Sequence, residues 1–75
     1  MKSELYDAAL KKFGQKLRDI RKGKKLSQEE LAHLCQLDRT YIGGVERGER
    51  NISLVNILRI CKSLDISPSM LFENL

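Results

Sequence analysis

The side chains of this sequence that could do chemistry are hydrogen-bond donors, not nucleophiles. Across residues 39–47 stand Arg39, Thr40, Tyr41, Gly43, Gly44 and Arg47. Guanidinium, hydroxyl and phenol groups of this kind can contact base edges and phosphates, and a major groove is wide enough to admit an α-helix that presents them. An arginine so placed can donate two bonds to guanine O6 and N7, for roughly 1–3 kcal/mol of discrimination against another base. Catalysis finds no comparable set. The sequence has no nucleophile with a placed base, no glycine-rich phosphate loop and no paired acids on one face. His33 is the only histidine, without a cysteine pair or carboxylate cluster at ligand spacing, so a solvated side chain is expected there, and neither metal nor other cofactor.

These donors need a helix to hold them, and the apolar spacing predicts an all-α chain of five helices. Leu5, Ala9, Phe13, Leu17 and Ile20 recur at three- and four-residue intervals, giving a first helix from about residue 4 to 22 that Gly23 is placed to end. Ser27 and Glu30 form a Ser-x-x-Glu arrangement, in which hydroxyl and carboxylate satisfy each other's backbone donors at the start of a short second helix. Asp38 is placed to cap a third helix, with Ile42 and Val45 facing inward and Gly48 stopping it. Ser53 caps a fourth helix carrying Leu54, Ile57, Leu58, Cys61 and Leu64, and Ser67-Pro68 opens a fifth. The short link between the second and third helices suits a helix-turn-helix over residues 27–47, with Ala32 small enough to let the third helix approach. Each of Gly43 and Gly44 costs that helix about 1 kcal/mol relative to alanine. Closer approach of backbone to DNA would offset the cost.

At 75 residues and 8.6 kDa, 41% hydrophobic and 32% charged, the sequence describes one small domain over residues 1–75, with no room for a ligand-sensing module. Folding at this size buries only about 60% of the unfolded chain's surface, so a second copy is a natural source of stability. Residues 53–75 would supply that contact through Ile66, Met70, Leu71, Phe72 and Leu75, unless Leu71 and Phe72 fill the monomer core instead. Cys35 and Cys61 fit no metal pattern and are expected as reduced core thiols of a cytosolic protein. No stretch approaches the roughly 18 apolar residues of a membrane span. The start Met1-Lys2-Ser3-Glu4 lacks a signal-peptide apolar region, and a cytoplasmic location is expected. Charge is uneven: residues 1–25 hold nine Lys/Arg against three Asp/Glu, and residues 26–75 hold five against seven. A basic face of this kind draws a polyanion such as nucleic acid, the alternative being a solvated helix face.

Through Leu26-Ser27-Gln28-Glu29-Glu30-Leu31-Ala32, Ile42 and Val45-Glu46-Arg47-Gly48, residues 13–72 resemble the phage-repressor and Xre-type helix-turn-helix family. The stretches from Leu37 to Ile42 and from Glu46 to Leu54 are most similar to the controller proteins of restriction–modification systems. The resemblance implies a cytoplasmic homodimer without enzymatic activity. Such a dimer binds a two-fold double-stranded DNA operator and both activates and represses restriction genes, with RNA polymerase as a further partner. An antitoxin of the same fold, which neutralises a toxin and autoregulates its operon, is the alternative. A sequence ending at Leu75, directly after the last helix, argues against the partner-binding tail that antitoxins often carry.

The resemblance also implies residue roles. Gln28 matches a position whose amide contacts a phosphate, with simple capping as the alternative. Arg39 and Thr40 match the exposed start of the recognition helix, where bases are read. Tyr41 matches a position contacting DNA backbone, or packs its ring against the second helix. Arg47, Arg50 and Asn51 match phosphate or minor-groove positions near the operator centre, with solvated loop charge as the alternative, above all for Arg47. Arg21 and Glu46 match an ion pair tying the first helix to the end of the recognition helix. Two positions depart from the family pattern: Gly43, where serine is common, and Gln36, where glycine usually makes the turn and a left-handed conformation strains glutamine.

Overall fold

A glycine decides how closely the first and third helices meet. In the computed structural model, which describes residues 4–75, α1 (Glu4–Gly23) crosses α3 (Arg39–Glu46) at Gly14, where an added Cβ would overlap the carbonyl oxygens of Val45 and Glu46. Of the start Met1-Lys2-Ser3-Glu4, expected to lack a signal-peptide apolar region, the first three residues lie outside the described residues. Two turns beyond Gly14 on the same face of α1 comes Arg21, which the close crossing delivers to Glu46 at the end of α3. Gly48, at φ +76°, turns the chain beneath Lys11, whose Cα would lie 2.9 Å from a Cβ there. Sequence reasoning missed Gly14, although a glycine inside the α1 apolar stripe, between Phe13 and Leu17, was the available signal.

Three further helices complete the described chain: α2 (Gln28–Cys35), α4 (Leu54–Leu64) and α5 (Pro68–Phe72), with no strand among the described residues. α2 packs on α3 and α4, and α5 closes against α1 and α4. The core takes Phe13 and Leu17 from α1, Leu31, Ala32 and Cys35 from α2, Ile42 and Val45 from α3, Ile57, Ile60, Cys61 and Leu64 from α4, and Leu71 from α5. Both cysteines are free and buried, and burial pushes each thiol pKa up.

Of the apolar residues expected on α4, Ile57, Cys61 and Leu64 are buried but Leu54 and Leu58 are not. Leu54 and Leu58 are 69% and 48% exposed, while Ile60 is completely buried. Apolar residues occupy both sides of this helix, and Ile57, Ile60, Cys61 and Leu64 are the set whose three- and four-residue steps face the core. Leu5 likewise stays exposed near the start of α1. Leu71 is completely buried and belongs to the monomer core, which corrects its assignment to a dimer surface.

Helix ends repeat one device. α1, α2 and α4 each run into a left-handed residue, Lys25, Gln36 and Asp65, at φ 61°, 58° and 56°. The next N–H, of Leu26, Leu37 and Ile66, donates back to Arg21, Ala32 and Cys61 at 3.2, 2.9 and 3.0 Å, and each of these apolar side chains packs on the core. The left-handed position after α1 therefore falls on Lys25 and not on Gly23, the last helical residue, because Leu26 is the side chain positioned to reach the core. At helix starts, Ser27 and Glu30 make the reciprocal box at 3.0 and 2.8 Å, whose bonds hold the Glu30 carboxyl below its usual range. Ser53 caps α4 through the Asn56 N–H at 3.2 Å. Asp38 adopts the extended N-cap backbone, but its side chain makes no capping bond, so there the backbone sets the helix start.

Candidate nucleic-acid interface

α3 is held from below by apolar contact and from its end by charge. Ile42 and Val45 are buried to 0% and 1% exposure, which fixes the roll of the helix. Glu46, in its last turn, accepts from Arg21 Nε at 2.7 Å and Nη2 at 3.0 Å. Arg21 spends a further donor on the Leu26 carbonyl at 2.7 Å. Gln28 Nε2, from the first position of α2, donates to the same Glu46 carboxylate at 3.0 Å. Three elements thus converge on one buried carboxylate: the end of α1, the start of α2 and the end of α3. Every buried side-chain polar atom among the described residues has a partner, so the pair sits in the satisfied geometry that a buried charge requires.

This anchoring leaves the opposite side of α3 outward. Arg39 and Thr40 are exposed in its first turn, and among the described residues no protein group takes up their side-chain donors. A shallow groove lined by Arg21, Ser27, Gln28, His33 and Arg39 runs beside them. The turn carrying Lys24 and Lys25 leads directly into that groove wall. Gln28 is half-buried, and its bond to Glu46 leaves the second hydrogen of the amide nitrogen to give.

Tyr41 is half-buried at the other side of the helix, where its hydroxyl accepts from Asn56 Nδ2 at 3.1 Å. Sequence reasoning missed Asn56, and no sequence pattern marks it. Arg50 lies with Cζ 5.1 Å from the Tyr41 ring centroid. Arg47 is exposed and bridges Glu49 at 3.1 Å, and Asn51 is exposed in the loop that follows.

Gly43 and Gly44, expected as backbone open to DNA, are instead buried beneath side chains on the outer face. A Cβ on Gly43 would meet Arg47 Nη1 at 3.0 Å and Gln28 Oε1 at 3.4 Å, and one on Gly44 would meet Arg50 Cγ at 2.7 Å. The missing side chains make room for the Arg47 and Gln28 head groups and the Arg50 stem, which accounts for glycine where a helix disfavours it.

The described residues contain no cluster of metal-binding side chains, and no helix among them is long and apolar enough to cross a membrane. A helix-turn-helix family model matches residues 17–71. The chain is 53% identical over 62 residues to control protein C.BamHI of Bacillus amyloliquefaciens, covering 81% of this chain and 76% of that protein. It is 48% identical over 65 residues to control protein C.MunI of a Mycoplasma species, covering 85% and 88%. Among solved structures, the restriction–modification controller protein C.AhdI from Aeromonas hydrophila superposes with a TM-score of 0.86 at 63% identity, over 87% of this chain and 98% of that one.

Proposed function

The chain belongs to the helix-turn-helix family, and from that premise we propose that it is a restriction–modification controller, a non-enzymatic DNA-binding regulator of transcription. Two copies place α3 of each subunit in successive major grooves of a two-fold operator, about 34 Å apart. One observation carries the reading of the surface: the Arg21–Glu46–Gln28 network and the buried Ile42 and Val45 lock α3 with Arg39 and Thr40 turned out and unpaired. Arg39 reads a base and Thr40 supports it. Gln28, Tyr41, Arg50 and Asn51 contact backbone, and Arg47 must give up Glu49 before it can join them. The exposed Leu54, Val55, Leu58 and Met70 form the surface that meets the second copy. RNA polymerase is the further partner that activation requires, and the work is done in the cytoplasm.

Selection of bound duplexes from a random pool tests this. The wild-type protein is expected to enrich a two-fold site, with affinity falling steeply as salt rises because each neutralised phosphate releases counterions. Repeating the selection with Arg39→Ala should relax the preference at one base pair per half-site, with a loss of about 1–3 kcal/mol there. A pool that stays random, with binding indifferent to salt, would overturn the proposal.

A further inference from the structure

We propose that Gly44 and Asn56 are positioning residues that hold the Arg50 guanidinium on the Tyr41 ring, so that the two side chains meet a DNA backbone phosphate as one preformed donor unit. The inference rests on the DNA-binding reading above, which gave Tyr41 and Arg50 backbone contacts but no role to Gly44 or Asn56. The stem of Arg50 passes over Gly44 so closely that a Cβ would lie 2.7 Å from its Cγ and 3.6 Å from its Cδ. Any other residue at position 44 displaces the arginine from this seat. Beyond the seat, Cζ lies 5.1 Å from the Tyr41 centroid, within the range at which a cation is attracted to an aromatic face. The ring is fixed in turn by Asn56, near the start of α4, which gives its amide hydrogen to the Tyr41 hydroxyl at 3.1 Å. That oxygen accepts from Asn56, so its own proton remains available to an acceptor outside.

The neighbouring arginine shows the contrast. Arg47 bridges Glu49, whereas Arg50 meets no carboxylate among the described residues and keeps its guanidinium donors. Freezing a free, rotamer-rich side chain during association weakens a complex by roughly 2- to 10-fold. Here the freezing precedes association, and a glycine inside a helix, otherwise unfavourable, makes the seat.

Stability and affinity should therefore move in opposite directions. Gly44→Ala improves helix propensity, so its Tm is expected to hold or to rise by up to about 8 °C. Its affinity for a duplex selected by the wild-type protein is expected to fall roughly 2- to 10-fold, with the same base preference. In an Arg50→Ala background, Gly44→Ala should cost no further affinity, and Asn56→Ala should cost none in a Tyr41→Phe background. Without DNA, ring-current shifts on the Arg50 side-chain protons should be present in the wild type and lost in Gly44→Ala. A Gly44→Ala protein that binds as tightly as wild type overturns the proposal. So does one that loses affinity and Tm together, or one equally impaired in the Arg50→Ala background. If the wild type shows the ring-current shifts but enriches no duplex, the DNA reading fails and the phosphate role fails with it. If it enriches a duplex but lacks the shifts, this inference alone fails.

Discussion

At the scale of residues, the buried carboxylate of Glu46 couples stability to recognition. Removing one partner of a buried pair leaves the other charge uncompensated, typically at a cost of 3–5 kcal/mol. Glu46→Gln should therefore lower Tm by well over 10 °C, since each kcal/mol moves a domain of this size by about 4–8 °C. Thermal melts followed by circular dichroism would check this, and an unchanged Tm would mean that Arg21 has no dependence on Glu46. The double variant Arg21→Met/Glu46→Leu is expected to recover much of the stability, because a buried ion pair replaced by apolar groups is often neutral. It should not recover DNA affinity, since Gln28 loses the acceptor that now orients its amide. Much of this site was legible in the sequence: Arg39 and Thr40 follow from their place at the start of a short third helix, while the Arg21–Glu46 pair, 25 residues apart, came only from the family resemblance. The seat under Arg50 was not, because a glycine accommodating a side chain six residues away in a loop leaves no periodic trace.

At the scale of elements, the helices were readable because each begins or ends with chemistry that acts over a few residues. The Ser27 and Ser53 caps and Pro68 at the head of α5 are of this kind. The ends were less readable. A glycine-based rule pointed to Gly23, whereas the structure places lysine, glutamine and aspartate in the left-handed position and selects each by the apolar residue that follows it. On α4 the periodicity placed Ile57, Cys61 and Leu64 but not Ile60, since apolar residues line both of its sides and tertiary contact with α2 and α5 decides which is inner. A left-handed L-residue costs about 1–2 kcal/mol, offset in part by the greater unfolded-state entropy of glycine. Gln36→Gly is accordingly expected to stabilise the protein by about 0.5–1 kcal/mol in urea titrations, with operator affinity unchanged. Loss of stability would mean that the Gln36 side chain makes a contribution larger than the backbone strain it imposes.

At the scale of the whole molecule, the exposed side of α4 carries the argument for a dimer. Leu54, Val55 and Leu58 are 69%, 60% and 48% exposed on the side of α4 that also carries the exposed Arg59 and Lys62, and Met70 on α5 is 40% exposed. Their neighbours across the helix are core residues, so a substitution on the outer side can test association without opening the monomer. Phe72 is a poorer probe despite similar exposure, because its ring packs 5.5 Å from that of Phe13. Leu58→Glu puts a charge where two identical surfaces would meet, and symmetry places it there twice. The variant should keep its helical circular dichroism and a Tm extrapolated to low concentration, yet sediment as a monomer at concentrations where the wild type is expected to sediment as the proposed dimer. Binding to a single half-site should be unaffected, because Arg39 and Thr40 stand on a different helix. Binding to the full two-fold site should fall by about 10²-fold or more, since linked half-sites convert the second engagement into an intramolecular one. A Leu58→Glu protein that still sediments as a dimer and binds the full site normally would move the interface elsewhere, towards Phe72 and Leu75 beside α1. That outcome would change the spacing between the two recognition helices, and with it the distance between half-sites that the operator must present.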